Sequence, residues 1–227
     1  KNMYKFTHFF HFDFEIKMKK DSLSKNKFRI LKILDICSRN KIKLIFPSTC
    51  TYRYNKLNKR ISKKIFPINK YSRSKIQCED KILECSKKKD LDYFIFRIFN
   101  VYGNNINNRW VVASLIKKLK KNKIIKLKYP ENIRDFIHIE DLSKLFIKCI
   151  NKNKSGIFEV GSGNAISIRN LALEIRKILK VDSKIIDSKP FKSKINNFSK
   201  SNINLTKVSF SWKPRIKLKE GLKNIRF

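Results

Sequence analysis

The chain has 227 residues, 41% of them hydrophobic and 18 of them Phe, which is enough apolar mass for one large or two small domains with a real core and excludes a disordered tail. Its formal net charge of +37 is dispersed along the whole length, with Lys enriched beside Asn and Ile as codon bias in an AT-rich genome produces, so it reads as solvated surface ahead of a nucleic-acid footprint. Apolar runs too short to span a membrane, no signal-like start, and five Cys without CxxC or Cys/His ligand spacing exclude a membrane protein, a disulfide scaffold and a zinc site, and lead us to expect a cytoplasmic protein.

In chain order, His8 to Phe12 predicts a short buried strand, and Phe28, Leu31, Leu34 and Cys37 predict a helix face ending near Asn40. Ile42 to Phe46 is the next strand, stopped by Pro47. Tyr71 to Lys87 follows as a helix with Ile76, Ile82, Leu83 and Cys85 as apolar positions, and Tyr93 to Phe99 as an aromatic strand. Strand and helix alternating in this way indicate a parallel sheet with crossover helices. Further on, Trp110 to Ile116 reads as a helix, Ile124 to Leu127 as a strand and Leu142 to Cys149 as a helix. Ser167 is the expected N-cap of a helix carrying Ile168, Leu171, Ala172, Ile175 and Leu179. Trp212-Lys213-Pro214 predicts a turn, and Leu218 to Ile225 a final short helix.

Tyr71-Ser72-Arg73-Ser74-Lys75 places a phenol and an ammonium at i and i+4, on one helix face a turn apart. A nearby cation favours the phenolate and lowers a Tyr pKa from about 10, which suits proton exchange with a substrate hydroxyl. In so lysine-rich a chain the pair alone is weak evidence. Its setting strengthens it, because Ser48 and Thr49 close a buried strand at the carboxyl end, where ligands gather in open parallel sheets. Either hydroxyl is placed to bond the oxygen that Tyr71 addresses.

These residues resemble the extended short-chain dehydrogenases/reductases that act on nucleotide sugars. Phe46-Pro47-Ser48-Thr49-Cys50-Thr51-Tyr52 is similar to that family's Ser-Ser-Thr-Cys-Ala-Thr-Tyr-Gly segment, and Pro67 to Lys75 to its Pro-Tyr-Gly-x-Ser-Lys active-site segment. Phe96 to Gly103 resembles Leu-Arg-Tyr-Phe-Asn-Val-Tyr-Gly, Arg134 to Leu142 resembles Arg-Asp-Phe-Val-His-Val-Asp-Asp-Val, and Phe158 to Gly163 resembles Tyr-Asn-Val-Gly-Ser-Gly. Ser199-Lys200, Trp212-Lys213-Pro214 and Glu220-Gly221-Leu222 resemble the closing segment. Six ordered matches over almost the whole chain far outweigh any single motif.

The resemblance implies an α/β fold: a Rossmann-like parallel sheet lacking its first βαβ units, with a smaller α/β substrate-binding domain. Residues 1–103 would be the C-terminal part of the NAD-binding domain, and 104–227 mainly the nucleotide-sugar region, interleaved with it. It implies NAD as cofactor, without distinguishing NADP, and reversible hydride transfer from a sugar carbon as Tyr71 takes the hydroxyl proton. By this likeness Tyr71 is the acid/base, Lys75 binds the nicotinamide ribose and lowers the Tyr71 pKa, and Ser48 or Thr49 orients the substrate. His11 and Phe12 border the cofactor, while Asn100 and Arg134 contact the nucleotide diphosphate, with an ion pair to Asp135 or Glu131 as the plainer reading of Arg134. The segments look most like UDP-glucose 4-epimerases, with a 4,6-dehydratase or reductase of the same family as the alternative. A non-catalytic cationic protein on a decayed epimerase fold, binding RNA or anionic lipid, is the reading from a different class. A homodimer through the Tyr71 to Lys87 helix is also implied.

The departures matter. No Gly-x-x-Gly-x-x-Gly turn is present, and residues 8 to 14 resemble a later strand end, so about half of a Rossmann domain is expected to precede Lys1. Asp13 and Phe14 replace small residues, Arg53 replaces a Gly, and Ile98 replaces an aromatic beside the expected cofactor. The tail phosphate-binding Arg has no match, and Lys189, Lys192 or Lys194 would substitute as point charges. A fragment and a decaying gene both fit, and either leads us to expect poor NAD binding and little activity from this chain alone.

Overall fold

The computed structural model of the chain describes residues 5–15, 19–57, 60–67, 69–107, 109–188 and 198–225, with residues 52–66 described by their backbone. The elements run β1 (His8–Phe10), α1 (Ser22–Arg39), β2 (Lys43–Thr49), β3 (Tyr52–Leu57), β4 (Arg60–Pro67), α2 (Lys70–Lys89) and β5 (Tyr93–Ile98). Then follow β6 (Asn100–Tyr102), α3 (Val111–Lys121), β7 (Ile124–Leu127), β8 (Ile133–His138), α4 (Ile139–Cys149), β9 (Gly156–Val160) and β10 (Ala165–Ser167). The last are α5 (Ile168–Leu179), β11 (Lys184–Asp187), β12 (Phe198–Ser199), α6 (Asn204–Phe210) and α7 (Leu218–Lys223). They divide into two compact units, Lys1–Ile98 with Ile150–Phe158, and Phe99–Cys149 with Glu159–Phe227.

The first unit is built on a sheet in the order β1-β2-β5-β9, with β1, β2 and β5 parallel. Alternate residues of a strand share a face, and Leu44 and Phe46 of β2 pack with Ile30, Leu34 and Cys37 of α1 and with Cys78 and Ile82 of α2. Ser48 continues that face towards the helices, and Thr49 takes the opposite one. The buried stripe of α1 runs through Asn26, Ile30, Leu34 and Cys37, and not through the expected Phe28 and Leu31, which are 59% and 44% exposed. Phe28 stands two residues from Ile30, nearly opposite it at 100° per residue, and its ring lies under the Lys32 ammonium.

β2 also runs past Pro47, where a stop was expected. Lys43 and Ile45 direct their backbone groups to β1, as Lys43 N–H bonding Thr7 O and His11 N–H bonding Ile45 O demonstrate. Pro47 shares that parity, yet β1 ends opposite Ile45. Its missing N–H would have pointed beyond the neighbouring strand, so the proline removes no ladder bond. The His8 to Phe12 segment differs too: β1 is three residues long and outermost in the described sheet, with Phe12 63% exposed.

In the second unit β8 pairs with β6 and β12 in parallel and with β10 antiparallel, and β7 pairs with β11 in parallel. Its core gathers Tyr102, Val112, Leu115, Ile116, Leu119, Phe136, Leu171 and Ile175. Ser167 caps α5 as expected, its hydroxyl accepting from Asn170 N–H at 3.1 Å. No helix among the described residues is long and apolar enough to cross a membrane.

Candidate active site

A reciprocal capping box starts α2. Asn69 Oδ1 accepts from Ser72 N–H at 2.8 Å, and Ser72 Oγ accepts from Asn69 N–H at 3.0 Å. This fixes the first turn, which carries Tyr71. From there Tyr71, Lys75 and Glu79 follow at four-residue intervals along one face that packs on the sheet.

The lowest member, Glu79, is 2% exposed. Its Oε2 accepts Arg97 Nη2 at 2.6 Å and Nε at 3.1 Å, and its Oε1 accepts the Ser48 hydroxyl. One carboxylate thereby ties α2 to the ends of β2 and β5. Sequence reading passed over both Glu79 and Arg97. The available signals were a carboxylate one turn beyond Lys75 on the buried face and an arginine inside an aromatic strand.

Lys75, 4% exposed, donates from Nζ to the Pro47 carbonyl at 2.6 Å. That ammonium lies 3.8 Å from the Phe14 ring centroid and 4.5 Å from that of Phe46. Burial lowers its pKa to about 7, an effect that Cys78 and Glu79 oppose. Phe14 also meets Tyr71 edge-on, with centroids 5.8 Å apart and planes at 89°. Tyr71 departs from expectation: burial, followed by the proximity of Cys50, pushes its phenol up to about 12. The cation meant to lower it is directed into the sheet against Pro47.

Of the two hydroxyl candidates, Ser48 is committed to Glu79. Thr49 Oγ1 bonds Thr51 Oγ1 at 2.9 Å and accepts Thr51 N–H at 3.1 Å, at the strand end beside Cys50. His11 is 2% exposed, and its Nε2 has no hydrogen-bond partner among the described residues. Phe12 stacks on Phe10 at 5.9 Å.

Asn100 and Arg134 belong to the second unit. Asn100 Nδ2 donates to Asp135 O at 2.8 Å, and Arg134 Nη1 donates to Ile133 O at 2.9 Å. The carboxylates weighed as partners of Arg134 have other work. Asp135 accepts from Ser162, Gly163 and Ser201, and Glu131 pairs with Arg169 at 3.4 Å. Lys189, Lys192 and Lys194 lie outside the described residues, as does the Arg53 side chain.

A dinucleotide at this strand end needs Lys75 donors turned outward and an open face beside Tyr71. Here one Lys75 N–H is spent on Pro47 O, and the Phe14 ring lies against both the ammonium and the phenol, where such a ligand would need open space. The unpartnered His11 Nε2 is a buried polar atom of the kind a ligand satisfies. As they stand, these residues do not fit a bound nicotinamide ribose.

The chain matches, over residues 16–161, the family model described as the NAD dependent epimerase/dehydratase family. It is similar to an ADP-L-glycero-D-manno-heptose-6-epimerase of Brachyspira hyodysenteriae, 29% identical over 217 positions, covering 88% of this chain and 68% of the relative. It is also similar to the probable UDP-arabinose 4-epimerase 3 of Oryza sativa subsp. japonica, 31% identical over 68% of this chain, of which it spans 45%. Among solved structures, it superposes on a Thermotoga maritima UDP-glucose 4-epimerase with UDP-glucose at a TM-score of 0.84 and 21% identity, covering 96% of this chain and 75% of the other. With the Helicobacter pylori ADP-L-glycero-D-manno-heptose-6-epimerase the TM-score is 0.82 at 26% identity, covering 97% and 71%.

Proposed function

We propose, from the premise that this chain belongs to the NAD dependent epimerase/dehydratase family, that its residues carry the epimerisation of a nucleotide sugar, with Tyr71 as the group that exchanges the proton. The observation that carries the reading is the Tyr71, Lys75, Glu79 face of α2, fastened through Lys75 to Pro47 O and through Glu79 to Ser48, which sets the phenol at the carboxyl end of β2. Tyr71 Oη exchanges a proton with the reacting sugar hydroxyl through the phenolate that an outward-turned Lys75 would favour, Thr49 orients that hydroxyl, and Ser48 holds the strand end in place. The first unit carries this chemistry. In the second, Asn100 and Arg134 are an amide and a guanidinium suited to phosphate oxygens of a nucleotide.

The sugar is an ADP-heptose or a UDP-sugar, the classes on which its relatives act. A homodimer through α1 and α2 draws support from Phe28, Leu31 and Ile36, three large apolar side chains exposed on α1. Five free thiols support a reducing, cytoplasmic location. The test is to supply NAD and a panel of ADP-heptose, UDP-glucose and UDP-arabinose, following product stereochemistry by NMR beside Tyr71→Phe. Weak epimer formation, far below that of a full-length relative and lost in Tyr71→Phe, is the expected result. A 4-keto-6-deoxy product would move the assignment to a dehydratase, and salt-dependent RNA retention without turnover would move it to a cationic binding protein.

A further inference from the structure

Phe14 is held in place from both sides. Glu15 N–H donates to Asn26 Oδ1 at 3.1 Å, and Glu15 Oε2 accepts the Ser22 hydroxyl at 2.7 Å. Asn26, 1% exposed, passes the linkage on to α2 by donating to Ser74 Oγ at 3.2 Å. Arg29 reaches Asp13 at 3.4 Å and Glu15 at 3.8 Å, so the residues flanking Phe14 are both fastened to α1. A fully buried asparagine spent on a loop and a helix is a costly way to place a ring that had no role in being there.

What the ring covers is equally specific. It stands perpendicular to Tyr71, touches Phe46 edge-on at 6.3 Å and lies under the Lys75 ammonium. The space beside the phenol and the ammonium therefore accepts a flat six-membered ring, and the chain's own side chain fills it. We propose that Phe14 is a built-in plug of the Tyr71–Lys75 site, standing where the flat ring of an entering dinucleotide would lie, so that ligand enters only when residues 13–15 leave α1. This rests on the cofactor reading above. Apparent affinity for such a ligand is reduced by the fraction of molecules that are open, and a depressed Lys75 pKa is what a covered ammonium shows.

The experiment measures the rate at which a small amine-acylating reagent labels Lys75, read by peptide mass spectrometry on the folded chain, with and without NAD. Phe14→Ala should raise the rate on the order of tenfold, the response of a buried amine brought to solvent. Phe14→Leu, which keeps apolar bulk, should label at the wild-type rate. Glu15→Ala, which removes the carboxylate's bonds to Ser22 and Arg29 and so loosens the clip while keeping the ring, should fall between them, and it keeps the test alive if Phe14→Ala fails to fold. Faster labelling that NAD then suppresses supports both the plug and the cofactor reading. Faster labelling that NAD leaves unchanged supports the plug and sinks the cofactor reading. Labelling of Phe14→Ala and Glu15→Ala at the wild-type rate overturns the plug, whatever NAD does.

Discussion

Arg97 closes on Glu79 with Nη2 at 2.6 Å and Nε at 3.1 Å from one carboxylate oxygen, joining the end of β5 to the middle of α2 inside the first unit. Removing one partner of a buried pair leaves the other charge uncompensated. Glu79→Ala should therefore cost about 3–5 kcal/mol in denaturant unfolding. The double replacement Glu79→Leu with Arg97→Met should recover much of that loss, because both charges go together. A double variant no more stable than Glu79→Ala would refute the pair as the cause.

The two neighbouring hydroxyls should separate by readout. Ser48→Ala deletes a donor to Glu79 and should lower stability by about 1–3 kcal/mol with turnover nearly unchanged. Thr49→Val removes the acceptor of Thr51 N–H and should cost about 1 kcal/mol, while lowering kcat on the order of 100-fold. Turnover lost in Ser48→Ala at full stability would reverse the two roles.

Acid should weaken the fold through His11. Burial, with Lys75 acting next, lowers its imidazole from 6.5 to about 4, so the unfolded chain binds the proton first on acidification. The His11 contribution to stability is complete above pH 6.5 and is lost as the pH drops towards 4. Lys75 acts in the same direction one window higher, its folded value of about 7 lying below an ordinary 10.5, so its penalty fades as pH rises between the two. Thermal melts should flatten between pH 4 and 6.5 in His11→Leu, and between pH 7 and 10.5 in Lys75→Met. Slopes identical to wild type would remove these groups from the account.

Asp135 is the corresponding anchor of the second unit. Fully buried, it accepts Ser162 N–H at 2.8 Å, Gly163 N–H at 3.0 Å and Ser201 N–H at 3.1 Å, together with the Ser162 and Ser201 hydroxyls. Asp135→Asn turns an NH2 group towards donors and should cost about 3 kcal/mol. Gly161→Ala should act on the same joint, since an added Cβ would stand 2.8 Å from Asp135 Oδ2. Hydrogen exchange should report both losses at residues 161–163 and 201. Full protection there in Asp135→Asn would sink the proposed joint.

By itself the sequence determined the alternation of strands and helices, the placement of Tyr71 and Lys75 one turn apart on α2, the Ser167 cap and the family likeness. The elements and the Tyr71–Lys75 pair are written in spacing along the chain, where a period of two or of about 3.6 residues states which side chains share a face, while the cap and the likeness rest on residue identity and motif order. It misjudged Phe28, Leu31 and Pro47, because which face an element buries, and where a neighbouring strand ends, are properties of the partner.

Only the tertiary structure decided that Ser48 serves Glu79, that Lys75 is bound to a carbonyl and covered by rings, that Tyr71 is raised and not lowered, and that Phe14 stands at the site. Those contacts join residues 31 and 28 positions apart for Ser48–Glu79 and Lys75–Pro47. The packing of α2 on β2 brings them together, and so sets the dielectric and the hydrogen-bond partners on which the chemistry of a phenol and an amine depends.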